Sequence, residues 1–388
     1  MVSVIFTCYG KTKEELNKIV NTCKNQLIKE QIKINLLKYQ QLKFYFSIFK
    51  DNKKTKHVYQ EMATVSIASS YPFVLPTTKD NGGLLLGANE HNSPVIFDVK
   101  HRDSFRNSSN VVVFGLTGSG KTMHVKKQLN WLYCNNAKLY IVDPERDYHS
   151  LANYYGGEII PIGKSGRARI NPLEVFGNDL LEHILLLEQW FKILYPTLQI
   201  RDVAEWQKTL LAVYKAKKIT PKTDFTKLSA KDYPILTDLY NYNEKQEKDK
   251  EHKSTLNSVL WKLTQGADGY LWNGVSTLLL KSDLIVFDTH ELTANKNRQN
   301  AQLFLMLAFL DKEVKKNKEK NETLPIAEQQ WICIAIDESH LLINENNALA
   351  LNFLFEMTKR IRKYNGILYI ITQNIADFMG NANIKTQS

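Results

Sequence analysis

A chain of 388 residues with 43% apolar and 23% charged side chains has material for a sizeable core, and that balance excludes global disorder. Lysine and arginine outnumber aspartate and glutamate 51 to 40, a net charge of +11 that permits attraction to nucleic acid or an anionic membrane face without choosing between them. The densest apolar run, Leu303 to Leu310, is too short for a spanning helix, the N-terminus has no basic segment before its apolar residues, and Cys8, Cys23, Cys134 and Cys333 form no CxxC pair.

Residues 1–75 read as mostly helical. Between Lys11 and Lys38 the apolar residues Leu16, Ile19, Val20, Cys23 and Leu27 recur at spacings of three and four, which predicts one helix with one apolar stripe. A second, looser helical segment includes Leu42, Phe46 and Phe49. With no core strand in view, this region reads as the remnant of a larger N-terminal domain, and residues 76–388 as the main domain.

From Pro72 onward the pattern changes. The runs PVIFDV (94–99), NVVVFG (110–115), KLYIVD (138–143), DLIVFD (283–288), WICIAID (331–337) and GILYIIT (366–372) are short and rich in β-branched and aromatic residues. Several lack strict alternation, as strands covered on both faces do. Helical stretches follow Gly120 and run from Asn300 to Lys318 and from Asn347 to Lys363. Strand and helix in turn predict an α/β fold, a mostly parallel sheet with helices on both faces. Residues 178–265 interrupt the rhythm and read as an inserted helical subdomain. The charge runs at 244–253 and 312–322 read as solvated surface.

The sharpest local signal is GLTGSGKT, Gly115 to Thr122, between the strand NVVVF and a helix. Gly115, Gly118 and Gly120 let the loop turn so that the backbone N–H groups of Thr117, Ser119 and their neighbours, through Met123, point inward around phosphates at a helix N-terminus. Lys121 reaches the β- and γ-phosphates, and the Thr122 hydroxyl serves Mg²⁺. A carboxylate pair follows at the end of WICIAIDESH: Asp337 would orient a Mg²⁺-bound water, and Glu338 would polarise the attacking water. Gln373, at the end of GILYIIT, offers an amide to the γ-phosphate or that water. Arg360 and Arg362, in TKRIRKYNG, are candidates for a guanidinium entering a neighbouring subunit's site, or for favouring a helix end. In DPERDY, Glu145 is the candidate for a site role, near the water or structuring the loop, and Asp147 reads as structural, as does His340.

Taken in order, YPFVLP (71–76), GLTGSGKT, IVDPERDYHSLA (141–152), RINPLE (169–174), GADGYLWNG (266–274), LIVFDTHEL (284–292), IAIDESHLL (334–342) and RIRKYNGILYIITQN (360–374) resemble the VirB4/TraC/TraE-like ATPases of bacterial conjugation and type IV secretion, within the HerA/FtsK-type RecA-like group. The resemblance covers about residues 60–380. It implies a RecA-like P-loop core, ATP and Mg²⁺ as ligands, Lys121 and Thr122 at the triphosphate, Asp337 and Glu338 as Walker B and catalytic base, and Gln373 as γ-phosphate sensor. It also implies oligomers, often hexamers, that work with other secretion-channel proteins in the cytoplasm or at the inner face of the membrane. Relatives are much longer at both ends, so the chain reads as a fragment, a split-gene product or a degenerate copy, with weak solubility and weak turnover expected. Two other functions fit the same motifs: a DNA-translocating motor with direct DNA contact, and a nucleotide-binding subunit without turnover.

Overall fold

The computed structural model describes residues 5–30, 34, 36–42, 44, 78–164, 166, 168–247, 254–292, 295–341 and 348–373. The chain divides into two compact units, Met1–Thr77 and Thr78–Ser388. In the first, helix α1 (Lys13–Lys29) starts at Thr12, whose hydroxyl accepts a hydrogen bond from Glu15 N. Leu16, Val20, Cys23 and Leu27 form its half-buried stripe, while Ile19, expected there, is exposed. The helix ends at Lys29 rather than Lys38, because the apolar residues Ile32, Ile34 and Leu36 alternate and no longer keep a helical spacing. Phe46, Phe49 and the segment YPFVLP lie outside the described residues.

The second unit opens with a two-stranded antiparallel hairpin, β1 (Leu84–Ala88) and β2 (Pro94–Phe97). PVIFDV, expected in the parallel sheet, lies here instead. Its turn explains this: the Asn89 side-chain carbonyl accepts from the backbone N–H groups of His91 and Ser93 and folds the run back on its predecessor. A bidentate pair from Arg106 to Asp80, at 2.6 and 2.8 Å, ties the hairpin to the chain leading into the main sheet.

That sheet has six parallel strands: β3 (Val111–Phe114), β4 (Ala137–Asp143), β5 (Glu158–Pro161), β6 (Leu284–Asp288), β7 (Trp331–Ile336) and β8 (Gly366–Thr372). They lie side by side in the order β3-β8-β7-β4-β6-β5. Successive residues of the central strands feed opposite layers. Leu139, Ile141, Cys333, Ala335, Ile367 and Tyr369 pack under α2 (Lys121–Cys134) and α3 (His149–Tyr155). Tyr140, Val142, Ile334, Ile336, Leu368 and Ile370 belong to the other core. Both faces are therefore covered, as the non-alternating runs predict. The edge strand β5 escapes sequence reading because it is four residues long and ends in Pro161.

The second layer is built by the helical segment: α4 (Leu180–Leu194), α5 (Ile200–Ala216), α6 (Leu236–Gln246), α7 (Thr255–Thr264) and the short α8 (Gly269–Trp272). Asp179 caps α4 by accepting from Leu181 N and Glu182 N. The segment shares one continuous core with the sheet through α9 (Lys296–Asn321), which is buried nearly all round from Gln299 to Asp311. Aromatic residues join the layers: Trp190 meets Trp272 edge-on at 5.3 Å, Phe191 stacks on Trp206 at 4.2 Å, and Trp272 Nε1 donates to Gln302 on α9 at 2.5 Å. Trp190 is fully buried. Trp190→Ala should therefore destabilise the chain by about 3–5 kcal/mol in chemical denaturation. A loss below about 1 kcal/mol would show that the layers do not depend on this cluster. The last helix, α10 (Ala348–Ile361), runs back along the sheet between β7 and β8. Among the described residues, no helix is long and apolar enough to cross a membrane.

Candidate active site

Strand register brings the motifs to one rim. Phe114 pairs with Thr372, Ile336 with Ile370, Val142 with Ile336, and Asp143 with Asp288. The residues just after β3, β8, β7 and β4 thus gather at the carboxyl ends of the strands, where an open parallel sheet places ligands. Gly115 N donates to Thr372 O at 3.3 Å and holds the phosphate loop against the end of β8. Gly118 and Gly120 have φ of +81° and +87°, which other residues adopt only with strain, and Gly120 stands at the N-terminus of α2. The first turn of α2 contains no acidic residue, so its N–H groups and dipole remain available to an anion.

Lys121 is the centre of the arrangement. Its side chain is only 8% exposed, its ammonium is buried with no hydrogen-bond acceptor, and the nearest carboxylate oxygen is Glu338 Oε1 at 3.6 Å. A buried ammonium without an acceptor is costly, and phosphate oxygens at the loop would supply one. Glu338 sits at φ +47°, an uncommon conformation for a non-glycine residue. It is held there by several partners. Its N–H donates to Asp337 Oδ1 at 2.8 Å, Gln373 Nε2 donates to its Oε1 at 2.6 Å, and His340 Nδ1 lies 3.0 Å from its Oε2. Thr117 of the phosphate loop donates in turn to Gln373 Oε1 at 2.8 Å. The amide of Gln373 therefore links the phosphate loop to the carboxylate on the neighbouring strand.

Asp337 is almost fully buried at the end of β7. Burial, with the charge of Glu338 adding to it, pushes its carboxyl up to about 6, although the Glu338 N–H and Lys121 pull the other way. The folded chain therefore binds this proton more tightly than the unfolded chain does. Stability from this group is greatest below about pH 4 and declines as pH rises through 6. Asp337→Asn should raise the melting temperature at pH 7.5, by an equivalent of about 1–3 kcal/mol, and leave it nearly unchanged at pH 4. An identical shift at both pH values would contradict the burial of a charged carboxylate here.

DPERDY behaves differently from its sequence reading. Asp143 is fully buried and accepts from the N–H groups of Asp147 and Tyr148, so it shapes the loop after β4. That loop aims Asp147 at the hydroxyl expected to serve a metal: Thr122 Oγ1 donates to Asp147 Oδ2 at 3.2 Å. Glu145 is exposed, and no contact among the described residues brings it to the phosphate loop. Asp147, read as structural, is the residue that reaches the site. The spacing of four from Asp143 carries the signal, since Asp143 can bind N–H groups four and five residues on and close a turn. His340, also read as structural, joins through Glu338. Met123, in the loop's following turn, is 73% exposed.

The two arginines part company. Both lie near the end of α10, before β8 begins, and so at the amino-terminal rim. The seven residues of β8 separate that rim from Gln373 by roughly 20 Å. Arg360 pairs within the chain with the buried Asp311 of α9 at 3.4 Å. Arg362 is exposed and lies near Arg102, which stacks over Trp331 at the start of β7.

The oxygens of Thr122 and Asp337 suit Mg²⁺, which keeps most of its waters and takes one or two protein oxygens beside phosphates. Among the described residues no group of three His, Cys, Asp or Glu side chains could hold an ion unaided.

Residues 83–387 match the TraG P-loop domain family. The chain belongs to that family. Its fold is similar to VirB4 of Thermoanaerobacter pseudethanolicus, with a TM-score of 0.72 and 30% identity over 80% of this chain and 82% of that one. It is also 24% identical to an uncharacterized protein of Bacillus anthracis, over 96% of this chain and 65% of the relative, so it spans about two thirds of that protein's length. This TraG-type chain is thus a RecA-like P-loop protein related to the ATPases of conjugation and type IV secretion, as its motif order implies.

Proposed function

We propose that this TraG-type domain hydrolyses ATP to drive assembly of, or transport through, a conjugative or type IV secretion channel. The observation that carries the reading is the buried, acceptor-less Lys121 ammonium beside a carboxylate, Glu338, that is itself tied to the phosphate loop through Gln373 and Thr117. A loop that only held nucleotide would need no carboxylate braced at that place.

The phosphate loop and the positive end of α2 bind the triphosphate, and Lys121 moves its charge from Glu338 to the phosphate oxygens. Mg²⁺, when bound, would neutralise charge across the β- and γ-phosphates, with Thr122 and Asp337 as its protein side and Asp147 orienting the Thr122 hydroxyl. Glu338, relieved of Lys121, accepts a proton from the attacking water at a carboxylate oxygen, and Gln373 positions that water by its amide. His340 keeps the Glu338 carboxylate turned toward the loop.

Arg362 cannot reach its own chain's phosphates from the opposite rim, so its contribution is to a neighbouring subunit in a homo-oligomeric ring. Arg360, engaged with Asp311, keeps α10 on α9. Arg362→Ala should fold normally and lose hydrolysis, whereas Arg360→Ala should cost about 1 kcal/mol of stability and retain activity. Mixing two inactive chains, Arg362→Ala and Glu338→Gln, tests the composite site. Mixed rings contain some sites with both groups intact, so partial recovery of ATP hydrolysis is expected. No recovery, in mixtures shown to co-assemble, would overturn the role in trans.

A further inference from the structure

Away from the phosphate loop, the segment GADGYLWNG contributes to a second polar site. A cavity of about 210 Å³ lies between the end of α4, the end of α7 and the start of α9. Tyr195, Lys262, Asp268, Asn295 and Arg298 give it its polar character. Its hydrogen-bonding is unbalanced. The Tyr195 hydroxyl is buried with no partner, and burial together with the charge of Asp268 raises its pKa, so it remains a donor. The Arg298 guanidinium holds Asp268 Oδ1 in an ion pair at 2.5 Å, and it lines the cavity beside that contact. Lys262 lies 3.9 Å from Asp268 and 5.5 Å above the Tyr195 ring. The N-terminus of the 26-residue α9, capped by Asn295, adds its positive end.

Three donors thus converge where the one carboxylate among the described lining residues, Asp268, is 2% exposed and has its charge offset by Arg298. Two cations against one anion leave a net positive cavity. Its volume is below that of a pocket for a drug-sized ligand, which fits a small inorganic anion. Asp268 adds a selection rule. Its Oδ1 is taken up by Arg298, and its Oδ2, 3.9 Å from Lys262, can only accept, so the matching ligand must carry a proton as well as negative charge.

We propose that this cavity binds hydrogen phosphate, with Tyr195, Lys262 and Arg298 donating to its oxygens and Asp268 accepting its P–OH proton. Sulfate has the same shape but carries no proton at neutral pH, so it leaves Asp268 facing an anion with nothing to share. The site stands on residues separate from the phosphate loop and does not depend on ATP hydrolysis there.

The test is isothermal titration of the full chain carrying Lys121→Ala, which weakens phosphate binding at the loop, with inorganic phosphate and with sulfate at matched ionic strength and neutral pH. Phosphate should bind saturably, and sulfate at least ~10-fold more weakly, because a site built to accept a proton penalises the ligand that lacks one. Tyr195→Phe should keep its melting temperature and weaken phosphate about 5-fold. Asp268→Asn should bring phosphate and sulfate to similar affinity. Absence of saturable phosphate binding, equal binding of phosphate and sulfate by the starting chain, or unchanged phosphate affinity in Tyr195→Phe would each overturn the assignment.

Discussion

Lys121→Ala is expected to weaken ATP binding at least ~100-fold, a loss of about 3 kcal/mol, and to abolish hydrolysis with it. The size of the effect follows from burial. The Lys121 side chain is 8% exposed and its buried ammonium has no hydrogen-bond acceptor among the described residues, so its interaction with phosphate replaces an unsatisfied donor rather than a hydrated one. Alanine also leaves the loop glycines and the start of α2 intact, which should preserve the fold. Equilibrium titration with ATP checks this, alongside a melting curve to show that the variant is folded. Retention of affinity within about threefold of the parent would mean that the backbone N–H groups alone hold the phosphates.

Glu338→Gln should separate binding from turnover. Hydrolysis is expected to fall by about 10²–10³-fold, because the amide cannot take the proton from the attacking water. Binding should be retained or tightened, since Glu338 no longer competes with phosphate for Lys121. The side-chain carbonyl can still accept from Gln373, so the link to Thr117 survives the change. Titration and turnover measured on one preparation distinguish this from general damage: loss of binding in parallel with hydrolysis would assign Glu338 a holding role instead.

Much of this site is legible in the sequence because a parallel sheet converts motif order into position. GLTGSGKT, DESH and ITQN each follow an apolar run, and strands in register carry their carboxyl-terminal residues to one rim. Lys121, Glu338 and Gln373 meet there as their motifs imply. The chemistry of the loop after β4 was less legible. Glu145 and Asp147 are two residues apart in an irregular turn, and which one faces Thr122 depends on Asp143 gathering the N–H groups of Asp147 and Tyr148. Spacing alone does not reveal such a turn.

The arginines show a different limit. Arg360 and Arg362 look equivalent at a helix end, yet Arg360 meets Asp311, a buried residue 49 positions away on α9, and Arg362 does not. Tertiary contact made the distinction, and no local pattern carries it. PVIFDV failed for a third reason. A four-residue strand has the same composition in an antiparallel hairpin as in a buried sheet, and the deciding feature was the Asn89 turn before it. The cavity beside Asp268 depends on three helices brought together by the shared core, so its donors lie far apart in the sequence.

The most direct measurement is phosphate release from ATP by the parent chain, with and without Mg²⁺, under conditions where bound ATP is quantified in the same samples. Release that requires Mg²⁺, at a rate per chain that rises with protein concentration as rings assemble, is the expected result. ATP bound at full occupancy on assembled chains, with no phosphate released above the Glu338→Gln background, would contradict a hydrolytic site at Lys121 and Glu338.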